Sequence, residues 1–241
     1  MNIVRASNYE DMSKKAAEYV LRKLSEKPDA VLGLATGSTP AGLYEQLIIE
    51  HQKRNVSYRQ IRTINLDEYI GLPADDENSY HSFMNTQLFR HIDIPLANTH
   101  LPNGEAADLP AECSRYEALI DHLGIDLQLL GIGENGHIGF NEPGTSFGQT
   151  THMTTLAEST RQANARFFPS IEAVPQQAIT MGIASIMKSR EILLMASGRR
   201  KAAAIERLMS GETGEDFPAS VLHRHPHVTI LADEEALSTV T

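Results

Sequence analysis

The chain has 241 residues, 41% of them hydrophobic, and a formal net charge of −10. That is enough apolar material to pack one domain and too much for a disordered chain, while the acidic balance excludes a general nucleic-acid binder, because phosphate backbones select basic faces. No apolar run reaches the roughly 20 residues of a membrane helix, and Cys113 alone can form no internal disulfide, so a reducing, cytoplasmic setting is expected, with neither a nucleic acid nor a membrane as partner.

The opening MNIVRASNYEDM lacks the basic-then-apolar layout of a secretion signal. Within it, Ser7-Asn8-Tyr9-Glu10 has the S-x-x-E form of a capping box. Met12, Ala16, Ala17, Val20, Leu21 and Leu24 follow at helical spacing, predicting an amphipathic helix over roughly residues 9–25. Ala30–Ala35 is a short apolar run, read as a central strand. It passes directly into Thr36-Gly37-Ser38-Thr39-Pro40 and a helical pattern through Leu43, Tyr44, Leu47 and Ile48. A strand, a glycine–hydroxyl turn and a helix in this order can bind an anion, since the helix N-terminus offers unpaired N–H groups and the positive end of its dipole. An ordinary turn, with Ser38 or Thr39 as cap and Pro40 at the first helical position, is the structural alternative. No Lys-Ser/Thr pair follows, so this is not a nucleotide P-loop.

Ile61–Leu66 is the next strand, ending at Asp67-Glu68-Tyr69. A carboxylate just past the C-terminal end of a strand in an open α/β sheet points into the usual ligand crevice, which makes Asp67 a catalytic candidate; a helix-capping aspartate is the alternative. A loop at Gly71–Glu77 leads to a helix through Phe83, Met84, Leu88 and Phe89, then a weak strand at His100–Pro102. A helix from about Pro110 to Leu123 carries Cys113, read as buried packing, and precedes the strand Asp126–Leu130.

Gly131–Gly144, GIGENGHIGFNEPG, contains the spacing G-x-G-x-x-G. A dinucleotide site would need Gly136 to open a helix, yet Gly139 and the Pro143-Gly144 pair follow within eight residues and make a helix there improbable. His137 and Glu142 fit acid–base chemistry instead, provided a turn brings the carboxylate to the imidazole and so fixes its tautomer.

Beyond the motif, Gly148–Thr155 is β-prone, and the polar Glu158–Phe168 carries Arg161 and Arg166; a mobile lid is expected around residues 156–180. Ala178–Met181 and Glu191–Ala196 are strands, each followed by a turn and helix. In the second case Ser197-Gly198-Arg199-Arg200-Lys201 puts three cations in a first helical turn, against the dipole, a conflict that a bound anion would relieve. His223, His225 and His227 alternate around Pro226 with no thiolate or carboxylate near, so no metal site is expected there. Val228–Leu231 is a last strand, with a short helix from Asp233. The repeated strand–turn–helix order predicts a single α/β domain over residues 1–241, with a mainly parallel sheet and helices on both faces.

Five motifs, LATGSTP (34–40), NLDEYIGLP (65–73), GIGENGHIGFNEPG (131–144), ARFF (165–168) and GRRKA (198–202), resemble those of the glucosamine/galactosamine-6-phosphate isomerase family over nearly the whole chain. The resemblance implies a Rossmann-like, doubly wound fold and the conversion of glucosamine 6-phosphate and water to fructose 6-phosphate and ammonia, without metal or nucleotide cofactor. By the same resemblance, Asp67 is the base that moves a proton from C2 to C1. His137 opens the pyranose ring with help from Asn135 and Glu142, in a loop whose glycines leave room for the sugar. Gly37, Ser38, Thr39, Arg166 and Lys201 hold the phosphate. Two departures stand out. Asn135 takes a position where some members have Asp and cannot exchange a proton, which leaves more of that role to Glu142. Gly144–Thr155 lacks the basic residues that bind an N-acetylglucosamine 6-phosphate activator in allosteric members, and the chain stops at Thr241. No such activation is expected; a monomer is compatible with this and an activator-regulated hexamer is disfavoured. The related 6-phosphogluconolactonases differ after the glycine–histidine pair, where GFNEP favours the deaminating branch.

Overall fold

The computed structural model describes residues 1–240. Its centre is a seven-stranded sheet in which every pairing is parallel. In chain order the strands are β1 (Asn2–Ala6), β2 (Val31–Leu34), β3 (Arg62–Asn65), β5 (Thr99–His100), β6 (Leu127–Leu130), β9 (Ile192–Ala196) and β10 (Val228–Asp233), and across the sheet they run β1-β10-β9-β6-β2-β3-β5. The chain therefore builds outward from β2 through β3 to β5, then returns to the other side of β2 with β6. Between β2 and β6 the strand order reverses. Loops leaving these two strands diverge and open a crevice at their C-terminal ends.

Side-chain alternation divides the core in two. Leu32, Leu34, Leu129, Leu193, Met195 and Leu231 pack with the helices α1 (Tyr9–Glu26), α2 (Ser38–Gln52) and α3 (Tyr80–Gln87). Val31, Ile64, Leu130, Ile192, Leu194 and Ile230 pack on the opposite face with α4 (Leu109–Leu123), α6 (Ile183–Ile186) and α7 (Ala202–Met209). Helices on both faces of a parallel sheet are the doubly wound architecture that the strand–helix rhythm predicts.

Four features depart from the expectation. Asn2–Ala6 is a strand, unread in sequence because it lies at the sheet edge with only Ala6 buried. Its partner β10 is completely buried and readable. A second sheet, antiparallel in the order β4-β8-β7, joins β4 (Asp67–Tyr69), β8 (Gln177–Thr180) and β7 (His152–Thr155). The capping box is shifted by one residue: Asn8 caps α1 by accepting the Asp11 N–H at 2.9 Å, and Asp11 accepts the Ser7 N–H at 2.8 Å. Glu10 instead pairs with Lys14 one turn on. After β10 there are turns rather than a helix, although the Asp233 carboxylate takes the Ala236 N–H as a helix cap would.

Candidate active site

The turn after β2 enters α2 at Gly37, and no side chain caps the helix. Neither Ser38 nor Thr39 serves as the cap; both lie inside the first turn, and Pro40 is third in the helix rather than first. The N-terminal N–H groups thus lack the side-chain partner that a plain turn would supply, as an anion site requires. Tyr9 of α1 steadies this turn. Its hydroxyl donates to the Ser38 carbonyl and accepts the Gly42 N–H, both at 2.8 Å, bridging the first helical hydrogen-bonding step.

One cation touches the turn, and a second lies near enough to feel its charge. Arg166 Nη2 donates to Ser38 Oγ at 3.3 Å, and its guanidinium lies 4.7 Å from the Phe167 ring centre. Lys201 is held below its ordinary pKa, first by burial and then by the neighbouring charges of Arg166 and Arg200, against the opposing pull of Glu134. A dianionic phosphate would relieve that crowding. The second expected anion junction does not exist as such. Asp233 already fills it, accepting the Gly198 N–H at 3.1 Å and the Ser197 hydroxyl at 2.5 Å.

Asp67 begins β4 where the chain leaves β3, and it is only 6% exposed. Burial, with the adjacent Glu68 charge, pushes its pKa up to about 8. It caps no helix. Ser79 caps α3, and Glu68 is the carboxylate that accepts the Tyr80 and His81 N–H groups there.

The loop Gly131–Gly144 contains no helix, so the dinucleotide reading is excluded by the backbone itself. Gly133 N–H donates to the His137 carbonyl at 2.9 Å, and an Ile138–Asn141 bridge folds the next residues into a tight turn. That turn needs Gly139, whose φ is +55°; a side chain there would also stand 3.6 Å from Asp67 Oδ2. Phe140 N–H to Thr180 Oγ1 at 3.1 Å and Asn141 Nδ2 to the Met181 carbonyl at 2.9 Å fix the turn beside β4. The glycines serve the protein more than the sugar. A Cβ at Gly133 would strike the His137 ring at 2.3 Å, and one at Gly136 the Phe217 ring at 2.1 Å.

The turn carries Glu142 back to His137, with Oε2 3.5 Å from Nδ1. This is ion-pair range and too long for a hydrogen bond; Nδ1 is buried without a hydrogen-bond partner. Asn135 joins the two. Its Nδ2 donates to Glu142 Oε2 at 2.9 Å and its Oδ1 accepts the His137 backbone N–H at 3.2 Å. Burial raises the Glu142 pKa, but the facing imidazole and the hydrogen bonds from Thr160 and Asn135 prevail and lower it to about 2. Thr160 was not legible as a site residue: it belongs to α5 (Glu158–Asn164), 18 positions along the chain, and donates to Glu142 Oε1 at 2.5 Å.

Among the described residues no group of three or more His, Cys, Asp or Glu side chains is placed to hold a metal ion. His223 and His225 instead bond the backbone carbonyls of Leu208 and Ser189.

Arg166 thus meets the uncapped N-terminus of α2, and the turn that pairs His137 with Glu142 passes beside the buried Asp67. A family described as glucosamine-6-phosphate isomerases/6-phosphogluconolactonase matches residues 6–231. The chain belongs to this family. It is 62% identical over 241 residues to a glucosamine-6-phosphate deaminase of Geobacillus sp. (strain WCH70), covering 100% of this chain and 96% of that relative. It is 57% identical to glucosamine-6-phosphate deaminase 1 of Bacillus subtilis (strain 168), covering 99% of each. A solved structure of a monomeric glucosamine-6-phosphate deaminase superposes with a TM-score of 0.97 at 57% identity, over 99% of both chains. The 6-phosphogluconolactonase of Trypanosoma brucei, at 20% identity and a TM-score of 0.82 over 100% of this chain and 98% of its own, shares the fold. Within the family, the architecture is common to both branches and sequence identity places the chain beside deaminases.

Proposed function

We propose that this chain converts glucosamine 6-phosphate and water to fructose 6-phosphate and ammonia in amino-sugar catabolism. The observation that carries the reading is 62% identity to a deaminase along the full length of the chain; the buried carboxylate of Asp67, the facing His137–Glu142 pair and Arg166 at the first turn of α2 support it.

The phosphate docks on the first turn of α2, at Gly37, Ser38 and Thr39, between Arg166 and Lys201. His137 takes the proton of the C1 hydroxyl and returns one to the ring oxygen, which breaks the bond between C1 and that oxygen and opens the pyranose. Glu142, steadied by Asn135, holds the imidazole. Asp67 then removes the C2 proton; the electron pair forms the C1–C2 double bond while the C1 carbonyl oxygen gains a proton. Return of a proton at C1 moves the unsaturation to C2 as an imine, and water replaces nitrogen there, leaving the ketose and ammonia. Of the lid expected around residues 156–180, Gln177–Thr180 is strand β8, paired on both sides; the remainder, hung between β7 and β8, forms the lid whose Arg166 reaches the phosphate and whose closure excludes water. The enzyme works as a cytoplasmic monomer and needs no metal or nucleotide.

Incubating the purified chain with glucosamine 6-phosphate should release ammonia and fructose 6-phosphate in equal amounts. Absence of both products, with hydrolysis of 6-phosphogluconolactone instead, would move the chain to the other branch of its family.

A further inference from the structure

Glu142 has two oxygens with different owners. Oε2 serves the loop itself, meeting Asn135 at 2.9 Å and facing His137 at 3.5 Å. Oε1 is taken by Thr160 at 2.5 Å, from the segment that also carries Arg166. Thr160 is buried, though its helix neighbours Glu158, Ser159, Gln162 and Ala163 are exposed. Its helix has no side-chain cap. A second contact ties the same segment to the crevice wall, Asn164 Nδ2 donating to the Tyr69 hydroxyl at 3.0 Å, with Phe168 edge-on to the Tyr69 ring at 5.7 Å.

We propose that Thr160 is a positioning residue that couples docking of the lid to the histidine–glutamate pair: its hydroxyl fixes Oε1 of Glu142, so that Oε2 faces His137 only when residues 158–168 are in place. The inference rests on the proposed deaminase reaction and deepens it. A carboxylate held at one oxygen only can rotate about its terminal torsion, which is broad and has no sharp rotamer wells. Held at both, it presents Oε2 to the imidazole at a fixed angle. Phosphate binding through Arg166 and ring opening at His137 are then linked through one short helix and the turn that follows it, and a sugar without its phosphate would leave the pair poorly aligned.

The test compares wild type, Thr160→Val, Thr160→Ala and Thr160→Ser, alone and with Glu142→Gln, in the assay for fructose 6-phosphate and ammonia. The wild-type rate by itself decides whether the reaction is right. Given turnover, loss of the hydroxyl should lower kcat about ten- to a hundredfold, the range for a hydrogen bond to a charged group, with KM changed less than about threefold. Serine should restore most of the rate, and on the Glu142→Gln background the further loss should shrink to about twofold or less. Wild-type kcat in Thr160→Val or Thr160→Ala would overturn the proposal. So would a Thr160→Ser as slow as both, or an undiminished loss on the Glu142→Gln background. If Thr160→Val fails to fold, Thr160→Ala and Thr160→Ser decide by the same criteria.

Discussion

Asp67 and Glu142 stand in one crevice with pKa values pushed in opposite directions. Burial and Glu68 raise Asp67 to about 8, while the donors around Glu142 overcome its burial and lower it to about 2. Native Asp67 therefore keeps its proton between about pH 4 and pH 8, where the unfolded chain has lost it. Its stabilising contribution is complete below about pH 4 and is lost as the pH rises through about 8. Asp67→Asn removes that slope, so thermal denaturation should show the variant gaining on wild type as the pH is raised toward about 9. For activity the ionised form is the base, and kcat/KM of wild type should climb toward about pH 8. Glu142 has the opposite sign: its contribution is present above about pH 4.5 and lost as the pH falls toward about 2, and Glu142→Gln should flatten stability over that window. The amide at Asn135 belongs to the same balance. An Asn135→Asp variant would set a second carboxylate 2.9 Å from Glu142, raising its pKa, and the acid limb of kcat should move to higher pH.

At the level of elements, the candidate residues are carried by loops leaving β2, β3, β6 and β9 and by one short helical segment. The loops were legible in the sequence because each combines glycine with reactive side chains just after an apolar run, as in Thr36–Thr39 and Gly131–His137. What the segment Glu158–Phe168 touches was not legible. Thr160 and Asn164 have no local pattern that marks them, since their partners Glu142 and Tyr69 are remote in sequence and meet them only through tertiary folding. The second sheet was hidden for a similar reason. Asp67–Tyr69 reads as the end of β3, and its antiparallel pairing with Gln177–Thr180 is a contact of more than a hundred residues. The lid proposal makes two element-scale predictions. Inorganic phosphate should slow amide hydrogen exchange over residues 158–167, which unprotected fast exchange would contradict. Arg166→Ala should raise KM for the sugar phosphate about ten- to a hundredfold while kcat falls less, as steady-state kinetics would report.

For the molecule as a whole, the doubly wound sheet was readable from its rhythm of buried strands and amphipathic helices, and the topological reversal between β2 and β6 explains why two distant motifs share one crevice. Order across the sheet was not readable, since any strand of the same apolar character satisfies the pattern. Net charge also acts at this scale. A chain at −10 repels anions on average, so the cations must be focused, and Lys201 lies near Arg166, which contacts the uncapped first turn of α2. The absence of Lys and Arg over Gly144–Thr155 predicts a monomer near 26.6 kDa by light scattering, and a hyperbolic rate curve that N-acetylglucosamine 6-phosphate leaves unshifted. The most direct test of the account compares wild type with Asp67→Asn for ammonia and fructose 6-phosphate formed from glucosamine 6-phosphate. Equimolar products from wild type, with a rate at least about a thousandfold lower in the variant, are predicted; no product from wild type, or equal rates from both, would contradict it.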